Sequence, residues 1–270
     1  MVWNYGTSGP LVIVLHGGPG APGSAAPLAR GLADWFRVLE PWQRGSGGVP
    51  LTVERHVEDL HGLVSGLVAG APPALVGWSW GAMLALAYAA AHSNEIGPIV
   101  LVGCGTFDLA ARARMNRLLE ERTDDDLRRR LALRSIAAAD PERQLMERYE
   151  LMRPLYTFDA IEAPEEAGEL ERFDLPAHEQ TWSDMVRLQD RGVYPAAFAT
   201  IRSRLLMLHG AYDPHPGALI RDSLAPYLPQ LEYKEWERCG HRPWSEREVR
   251  ADFFTVLRNW LTQQLRGQVT

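Results

Sequence analysis

Short apolar runs alternate with longer helical patterns along most of the 270-residue chain, and this alternation constrains its fold more than any other feature. Several of the runs are almost continuously apolar, as expected for strands that helices cover on both faces of a sheet. Alternating strands and helices predict an α/β fold with a mostly parallel, doubly wound sheet. The predicted strands are residues 11–16, 36–42, 74–79, 98–103, 204–210 and 231–236, and the predicted helices are about 52–69, 80–92, 217–226 and 245–265.

One long segment interrupts this alternation. Residues 106–200 contain no convincing strand and several charged helical patterns, such as ARMNRLLEERTDDDLRRRLALRSI. An insertion of this length between two strands predicts a helical cap over a core formed by residues 1–105 and 201–270. A plain charged helical bundle would give the same pattern and is the alternative.

Charge and cysteine content argue against several classes of protein. Lys and Arg number 28 against 34 Asp and Glu, and this net charge of −6 disfavours nucleic acid as a partner. No apolar run reaches the roughly 20 residues that cross a bilayer, and the N-terminus shows no export signal. The two cysteines, Cys104 and Cys239, are too few for a disulfide framework. We therefore expect a cytoplasmic protein, without a membrane partner, that acts on a small molecule or a short peptide.

The stretch GWSWG, residues 77–81, fits the G-x-S-x-G pattern of a serine in a tight turn from a strand to a helix. An apolar run precedes the motif and the helix-forming AMLALAYAA follows its serine turn, which is the context that such a turn requires. The turn lifts the serine hydroxyl clear of the sheet. Ser79 is therefore predicted to be a nucleophile, with a buried structural serine as the alternative.

A serine nucleophile needs a base, and the base needs an acid that orients it. In folds with this turn, the order along the chain is serine, acid, histidine. His241 lies between the last predicted strand and the last helix and is the predicted base, while His209 and His215 are expected to support the site. Asp213 follows the fifth predicted strand and is the predicted acid, with Asp108 as its competitor.

The stretch HGGPG, residues 16–20, follows the first predicted strand. Adjacent glycines let backbone N–H groups point into a site, as an oxyanion hole requires. We predict one donor from Gly17 or Gly18 and a second from the N–H of Trp80. Since no His, Cys or Asp cluster has metal-ligand spacing and no glycine-rich loop matches a phosphate site, neither a metal nor a cofactor is expected.

The motifs HGGPG, QRGSG, GWSWGAMLALAYA, GAYD and CGHRPW occur in the order and spacing of the α/β-hydrolase superfamily. They most resemble its proline iminopeptidase (prolyl aminopeptidase) branch, which has a glycine where Trp78 stands here. The resemblance covers both halves of the predicted core. It implies a triad of Ser79, Asp213 and His241, and it places Arg44 in a structural loop.

These residues predict a cofactor-independent serine hydrolase that acts through an acyl-enzyme. The resemblance favours an aminopeptidase that releases an N-terminal residue, proline preferred, from small peptides. A carboxylesterase or a carbon–carbon-bond hydrolase acting on small acyl substrates is the alternative. A non-catalytic ligand-binding protein of the same fold is a further one.

An aminopeptidase must recognise a protonated amine, and a carboxylate within about 4 Å is the usual partner. By the resemblance, this carboxylate would come from a glutamate of the cap. Glu147 and Glu150 are three residues apart and share one helix face, so we predict that this pair binds the amine. The acidic stretch 159–174 is the other source of such a group.

Overall fold

The computed structural model describes residues 1–67, 71–137, 141–161 and 173–266, and for 134–137 and 141–146 it describes the backbone only. Seven strands form one sheet in the order β1-β3-β2-β4-β5-β6-β7. The pair β1–β3 is antiparallel, and the other described pairs are parallel. The strands are β1 (Val2–Tyr5), β2 (Leu11–Leu15), β3 (Arg37–Pro41), β4 (Ala74–Trp78), β5 (Ile99–Val102), β6 (Leu205–Gly210) and β7 (Leu231–Trp236).

Nine helices accompany the sheet in the described part of the chain. None of these helices is both long enough and apolar enough to cross a membrane. The helices are α1 (Ala26–Arg30), α2 (Val53–Ser65), α3 (Trp80–Ala91), α4 (Leu109–Arg122), α5 (Asp125–Ala137), α6 (Pro141–Met152), α7 (Leu175–Asp190), α8 (Gly217–Leu224) and α9 (Arg250–Arg266).

The six predicted strands and the four predicted helices of the core are confirmed. Every residue of β4, β5 and β6 is buried, because helices cover both faces of these strands. Ile13 and Leu75 point to the face packed by α2, α3 and α8, whereas Val12 and Val76 point to the face packed by α1 and α9. The short edge strand β1 was not predicted, because its four half-buried or exposed residues carry no strong apolar pattern.

Helices α4 to α7 lie between β5 and β6, in the region where the sequence predicted a helical insertion. The described part of this region contains no strand of the sheet, although Ala160 forms an isolated antiparallel bridge with Glu246. The boundaries 1–105, 201–270 and 106–200 stay a prediction. The insertion follows the carboxyl end of β5, so it begins at the edge of the sheet where the candidate nucleophile also lies.

Candidate active site

Ser79 occupies the sharp turn between β4 and α3. Its φ of 55° and ψ of −117° lie in a region that residues other than glycine rarely adopt. A Cβ on Gly81 would lie 2.1 Å from the carbonyl oxygen of Leu15, and a Cβ on Gly77 would lie 2.2 Å from that of Gly81. The two glycines are required because strand and helix approach so closely, and the strained turn exposes the serine hydroxyl.

The predicted base and acid are in direct contact. Nδ1 of His241 lies 2.6 Å from Oδ2 of Asp213, and both side chains are buried. Because its partner is a carboxylate, Nδ1 carries the proton and Nε2 is left as an acceptor. This is the tautomer that a general base needs.

Two further histidines surround the carboxylate of Asp213. Its Oδ1 accepts hydrogen bonds from the backbone N–H and from Nδ1 of His215, both at 2.9 Å. Nε2 of His209 lies 3.2 Å from Oδ2. The ring of His215 also stacks on that of His241, with 4.6 Å between centroids. The structure thus brings both expected supporting histidines to the acid.

Burial and charge set the protonation states of this pair. Burial, which outweighs the attraction of Asp213, lowers the pKa of His241 from 6.5 to about 4. Burial alone would raise the pKa of Asp213, but the surrounding histidines outweigh it and hold that pKa well below 3.8. Near neutral pH the pair therefore consists of a carboxylate and a neutral imidazole that is ready to accept a proton.

Trp78, which stands where the proline iminopeptidase pattern has glycine, anchors the loop that carries the base. Its indole N–H donates to the carbonyl oxygen of His241 at 3.0 Å. On the other side, the N–H of His241 donates to the carbonyl oxygen of Tyr156 at 2.8 Å. The backbone of the base is thus fixed by the serine turn and by the insertion together.

The three residues predicted to form an oxyanion hole lie beside Ser79. A Cβ on Gly17 would lie 3.3 Å from the Cβ of Ser79, so the loop backbone lies against the serine turn. Gly18 adopts a φ of 111° and lines the same cavity as Ser79 and Trp80. Trp80 is the first residue of α3, where backbone N–H groups lack intrahelical partners. The donors are available, and their role stays a prediction.

Gln43 connects the glycine loop to the serine turn, a role that the sequence analysis missed. Its backbone N–H donates to Nε2 of His16 at 3.1 Å, and its amide nitrogen donates to the His16 carbonyl at 3.0 Å. Its amide oxygen accepts the indole N–H of Trp80 at 2.7 Å. Burial lowers the pKa of His16 to about 4, which keeps Nε2 free to accept.

The neighbouring Arg44, expected in a structural loop, pairs with Asp59 at 2.7 Å.

Glu246 joins the insertion to the base-bearing loop and was also missed. Its buried carboxylate accepts the backbone N–H groups of Phe158 at 2.9 Å, Asp159 at 2.7 Å and Gly240 at 2.8 Å. Gly240 directly precedes the predicted base. The preceding residues CGHRPWS gave no sign of this contact, since its partners in the insertion lie 87 and 88 positions away.

A cavity of about 380 Å³ opens above Ser79 and His241, which both line it. This volume lies within the range of small-molecule sites. The sheet and the insertion both contribute its walls, so a substrate there would be enclosed by both. Much of the wall is apolar or aromatic and includes Trp80, Met83, Met152, Tyr156, Phe173 and Trp182.

The structure does not bring Glu147 and Glu150 into this cavity. Glu150 is 59% exposed and pairs with Arg153 at 3.3 Å, and Glu147 has a contact of its own. Residues 162–172 of the acidic stretch lie outside the described residues. Amine binding by the glutamate pair stays a prediction. The residues of α6 that line the cavity are Arg148, Tyr149 and Met152.

Asp108, the competing acid, instead caps a helix. It precedes α4, and its carboxylate accepts the backbone N–H of Ala111 at 2.8 Å. This contact satisfies one of the free N–H groups at the helix start. Its position favours Asp213 as the acid.

Two groups of residues in the described part of the chain have the donor atoms for a metal ion. One, Asp213 with His215 and His241, is the site already described. The other consists of His61, His92 and Glu95, at α2 and the end of α3. The imidazole rings of His61 and His92 stack with 4.0 Å between their centroids and are within 7° of parallel. A metal ion cannot lie in the plane of both rings in this arrangement. The expectation of no metal stays a prediction.

Comparison with known protein families shows which family the chain belongs to. Residues 12–253 match the model of the alpha/beta hydrolase family, which is most of the sequence. The chain belongs to the α/β-hydrolase family. Its serine turn, glycine loop and Asp213–His241 pair thus occur in a family of hydrolases. No curated protein sequence matches this α/β hydrolase.

Solved structures resemble this α/β hydrolase over nearly its full length. An esterase from Thermogutta terrifontis has a TM-score of 0.67 and 21% identity, covering 97% of this chain and 93% of that chain. A serine hydrolase involved in carbazole degradation has a TM-score of 0.62 and 18% identity, and the match covers 97% of this chain and 94% of that chain. The enol-lactonase from Burkholderia xenovorans has a TM-score of 0.63 and 20% identity, and the match covers 97% of this chain and 96% of that chain. At these identities the likeness shows the fold, and membership of the proline iminopeptidase branch stays a prediction.

Proposed function

We propose that this α/β hydrolase is a serine carboxylesterase that cleaves small acyl esters through an acyl-enzyme. One observation carries the proposal. Ser79, in its strained turn, opens into the same cavity as His241, whose Nδ1 lies 2.6 Å from Asp213. A nucleophile, an oriented base and an ionised acid are the parts that acyl transfer requires.

The steps follow from the protonation states. Ser79 Oγ attacks the ester carbonyl carbon while Nε2 of His241 takes the hydroxyl proton. Asp213 stays ionised and stabilises the imidazolium that forms. The backbone N–H groups of Gly18 and Trp80 receive the negative charge on the former carbonyl oxygen. His241 then protonates the leaving alcohol as the ester bond breaks. In the second half, His241 takes a proton from a water molecule that attacks the acyl carbon, and it returns this proton to Ser79 Oγ as the bond between the acyl group and the serine breaks.

The cavity wall favours an ester over an N-terminal amine as the group recognised. Binding an ammonium group requires a nearby carboxylate. Among the described residues that line the cavity, none is aspartate or glutamate. The esterases and the enol-lactonase among the structural neighbours accord with this reading. We therefore favour the esterase alternative over the aminopeptidase that the sequence motifs suggested.

Labelling and a substrate comparison test the proposal. A fluorophosphonate probe should label the wild type and the matched variant Ser65→Ala, which alters an exposed serine of α2, but not Ser79→Ala. Ser79→Ala should also lower kcat on 4-nitrophenyl butyrate by at least about 10⁴-fold. Equal labelling or equal turnover in Ser79→Ala would refute the role of the serine.

Proline and alanine 4-nitroanilides decide between esterase and aminopeptidase. The esterase proposal predicts turnover of the butyrate ester and none of the free-amine anilides. Cleavage of proline 4-nitroanilide that disappears when its amine is acetylated would overturn the proposal in favour of an aminopeptidase. In that case, Glu147→Gln and Glu150→Gln would identify the amine-binding residue.

A further inference from the structure

The arginines among the described residues that line the cavity are opposite in sign to the net charge of the chain. The chain carries a net charge of −6. The described residues that line the cavity nevertheless include three arginines, Arg148, Arg153 and Arg242, and no carboxylate. Cations at the wall of an apolar cavity attract an anionic ligand, because a low-dielectric wall weakens a charge–charge attraction less than bulk water does.

Arg242 is held in place directly beside the base. Its guanidinium lies 4.9 Å from the centre of the Trp78 ring and 5.7 Å from that of Tyr149, and it donates to the Tyr149 hydroxyl. These contacts orient the group without neutralising it. Among the described residues, no carboxylate lies within 4.0 Å of Arg242. Among the described residues only the Tyr149 hydroxyl accepts a hydrogen bond from this guanidinium, which has five N–H donors in all.

Arg148 and Arg153 differ in how they are paired. Arg153 forms an ion pair with Glu150 at 3.3 Å, so much of its charge is balanced. Arg148 lies five residues earlier, in α6, and has no carboxylate of the described residues within ion-pair distance. It lines the cavity together with Tyr149, the residue that contacts Arg242. Arg148 and Arg242 are thus two cations that a bound anion could meet.

We propose that the substrate is an ester whose acyl part ends in a carboxylate, and that Arg242, assisted by Arg148, binds this carboxylate. The inference rests on the esterase function proposed above. The planar guanidinium of arginine matches a carboxylate through paired hydrogen bonds. The apolar and aromatic side chains that line the same cavity suit a hydrocarbon chain that joins the carboxylate to the ester. Monoesters of dicarboxylic acids have this chemistry.

A pair of esters that differ only in charge tests the inference. The anionic ester is mono-(4-nitrophenyl) adipate, and the neutral one is methyl 4-nitrophenyl adipate, with the same chain and leaving group. The measured quantity is the ratio of their kcat/KM values. In the wild type the anionic ester should be preferred by at least about tenfold, as expected for a hydrogen-bonded charge pair.

Three variants localise the effect. Arg242→Gln should lower the ratio by about tenfold or more, and Arg148→Gln by about threefold, since Arg148 is more exposed. Arg128→Gln removes the same charge from an exposed arginine of α5 that does not line the cavity, and it should leave the ratio unchanged. Using a ratio cancels any effect of Arg242→Gln on the neighbouring His241. An unchanged ratio in Arg242→Gln, or a wild-type ratio near one, overturns the inference.

A binding measurement separates this inference from the proposed function. Calorimetry compares 4-phenylbutyrate with 4-phenylbutyramide on the wild type and on Arg242→Gln. If the wild type binds 4-phenylbutyrate more tightly than 4-phenylbutyramide, and Arg242→Gln loses this preference, the anion site is supported. This holds even if neither ester is hydrolysed and Ser79 is not labelled. Equal binding of the two compounds overturns the anion site, even if ester hydrolysis by Ser79 is established.

Discussion

The buried position of His241 makes a specific prediction about how activity depends on pH. A histidine at its reference pKa of about 6.5 would lose its function as a base throughout the mildly acidic range. Here, burial lowers the pKa of His241 to about 4. The neutral imidazole is therefore the major form far below neutrality, and esterase activity should persist there.

The size of the effect follows from the two pKa values. At pH 5 a histidine of pKa 6.5 is only about 3% neutral, whereas one of pKa about 4 is about 90% neutral. If the free base carries the reaction, the two cases differ by about 30-fold in kcat/KM at that pH. We expect kcat/KM to be nearly constant from pH 8 to pH 5 and to fall to half near pH 4.

The assay follows 4-nitrophenyl butyrate hydrolysis after the enzyme is diluted from pH 7 into buffers between pH 3.5 and 8. Tryptophan fluorescence at the same delay establishes that the chain is still folded. Because kcat/KM reports the free enzyme, the midpoint belongs to the unliganded base. A half-maximal value near pH 6.5 with folded protein would show that burial does not control this histidine, and the reasoning would fail.

Three other substitutions or conditions extend the test. Asp213→Asn should lower turnover on the order of 10⁴-fold, because it favours the wrong tautomer of the His241 imidazole. Asp108→Asn, at a helix cap, should change turnover less than about threefold. Reversed effects would exchange the assignments of the two aspartates. Gly81→Ala should destabilise the fold by about 3 kcal/mol or more, because the added Cβ would collide with the Leu15 backbone. A urea unfolding curve with an unchanged midpoint concentration, Cm, would contradict this. Burial lowers the pKa of His16, His56 and His241 to about 4 each, so the unfolded chain binds protons before the folded chain does as the pH falls below 6.5. Urea unfolding should therefore show a loss of about 2 kcal/mol for each of these histidines between pH 7 and pH 5, and a pH-independent free energy of unfolding would refute this.

The sequence predicted those features that depend on neighbours along the chain. The strands were found because a strand buried on both faces must be apolar throughout, as in β4. The serine turn was found because its two glycines are needed where Ser79 bends the chain, and the order of Asp213 and His241 followed from the fold.

The missed features depend on contacts between distant segments. Glu246 looks like an ordinary surface glutamate in the sequence, yet it is buried because segments 87 and 88 positions away supply its N–H donors. Gln43 reaches Trp80 over 37 positions. The low pKa of His241 depends on its burial, which no local pattern records. Such pairings arise only once the sheet order brings the loops together.

The three backbone N–H groups that donate to Glu246 have a consequence for any experiment that exchanges the inserted helical region between members of this family. The segment from Tyr156 to Ile161 follows α6 in the chain, yet it is bonded to the base-bearing loop, through His241 and through Ser245 at 2.7 Å. A graft that replaces 106–200 as a block would remove those bonds and leave the buried carboxylate of Glu246 with only the N–H of Gly240 among its three donors. A graft limited to 106–152 would keep them. The exchangeable module of this enzyme is therefore smaller than its inserted helical region.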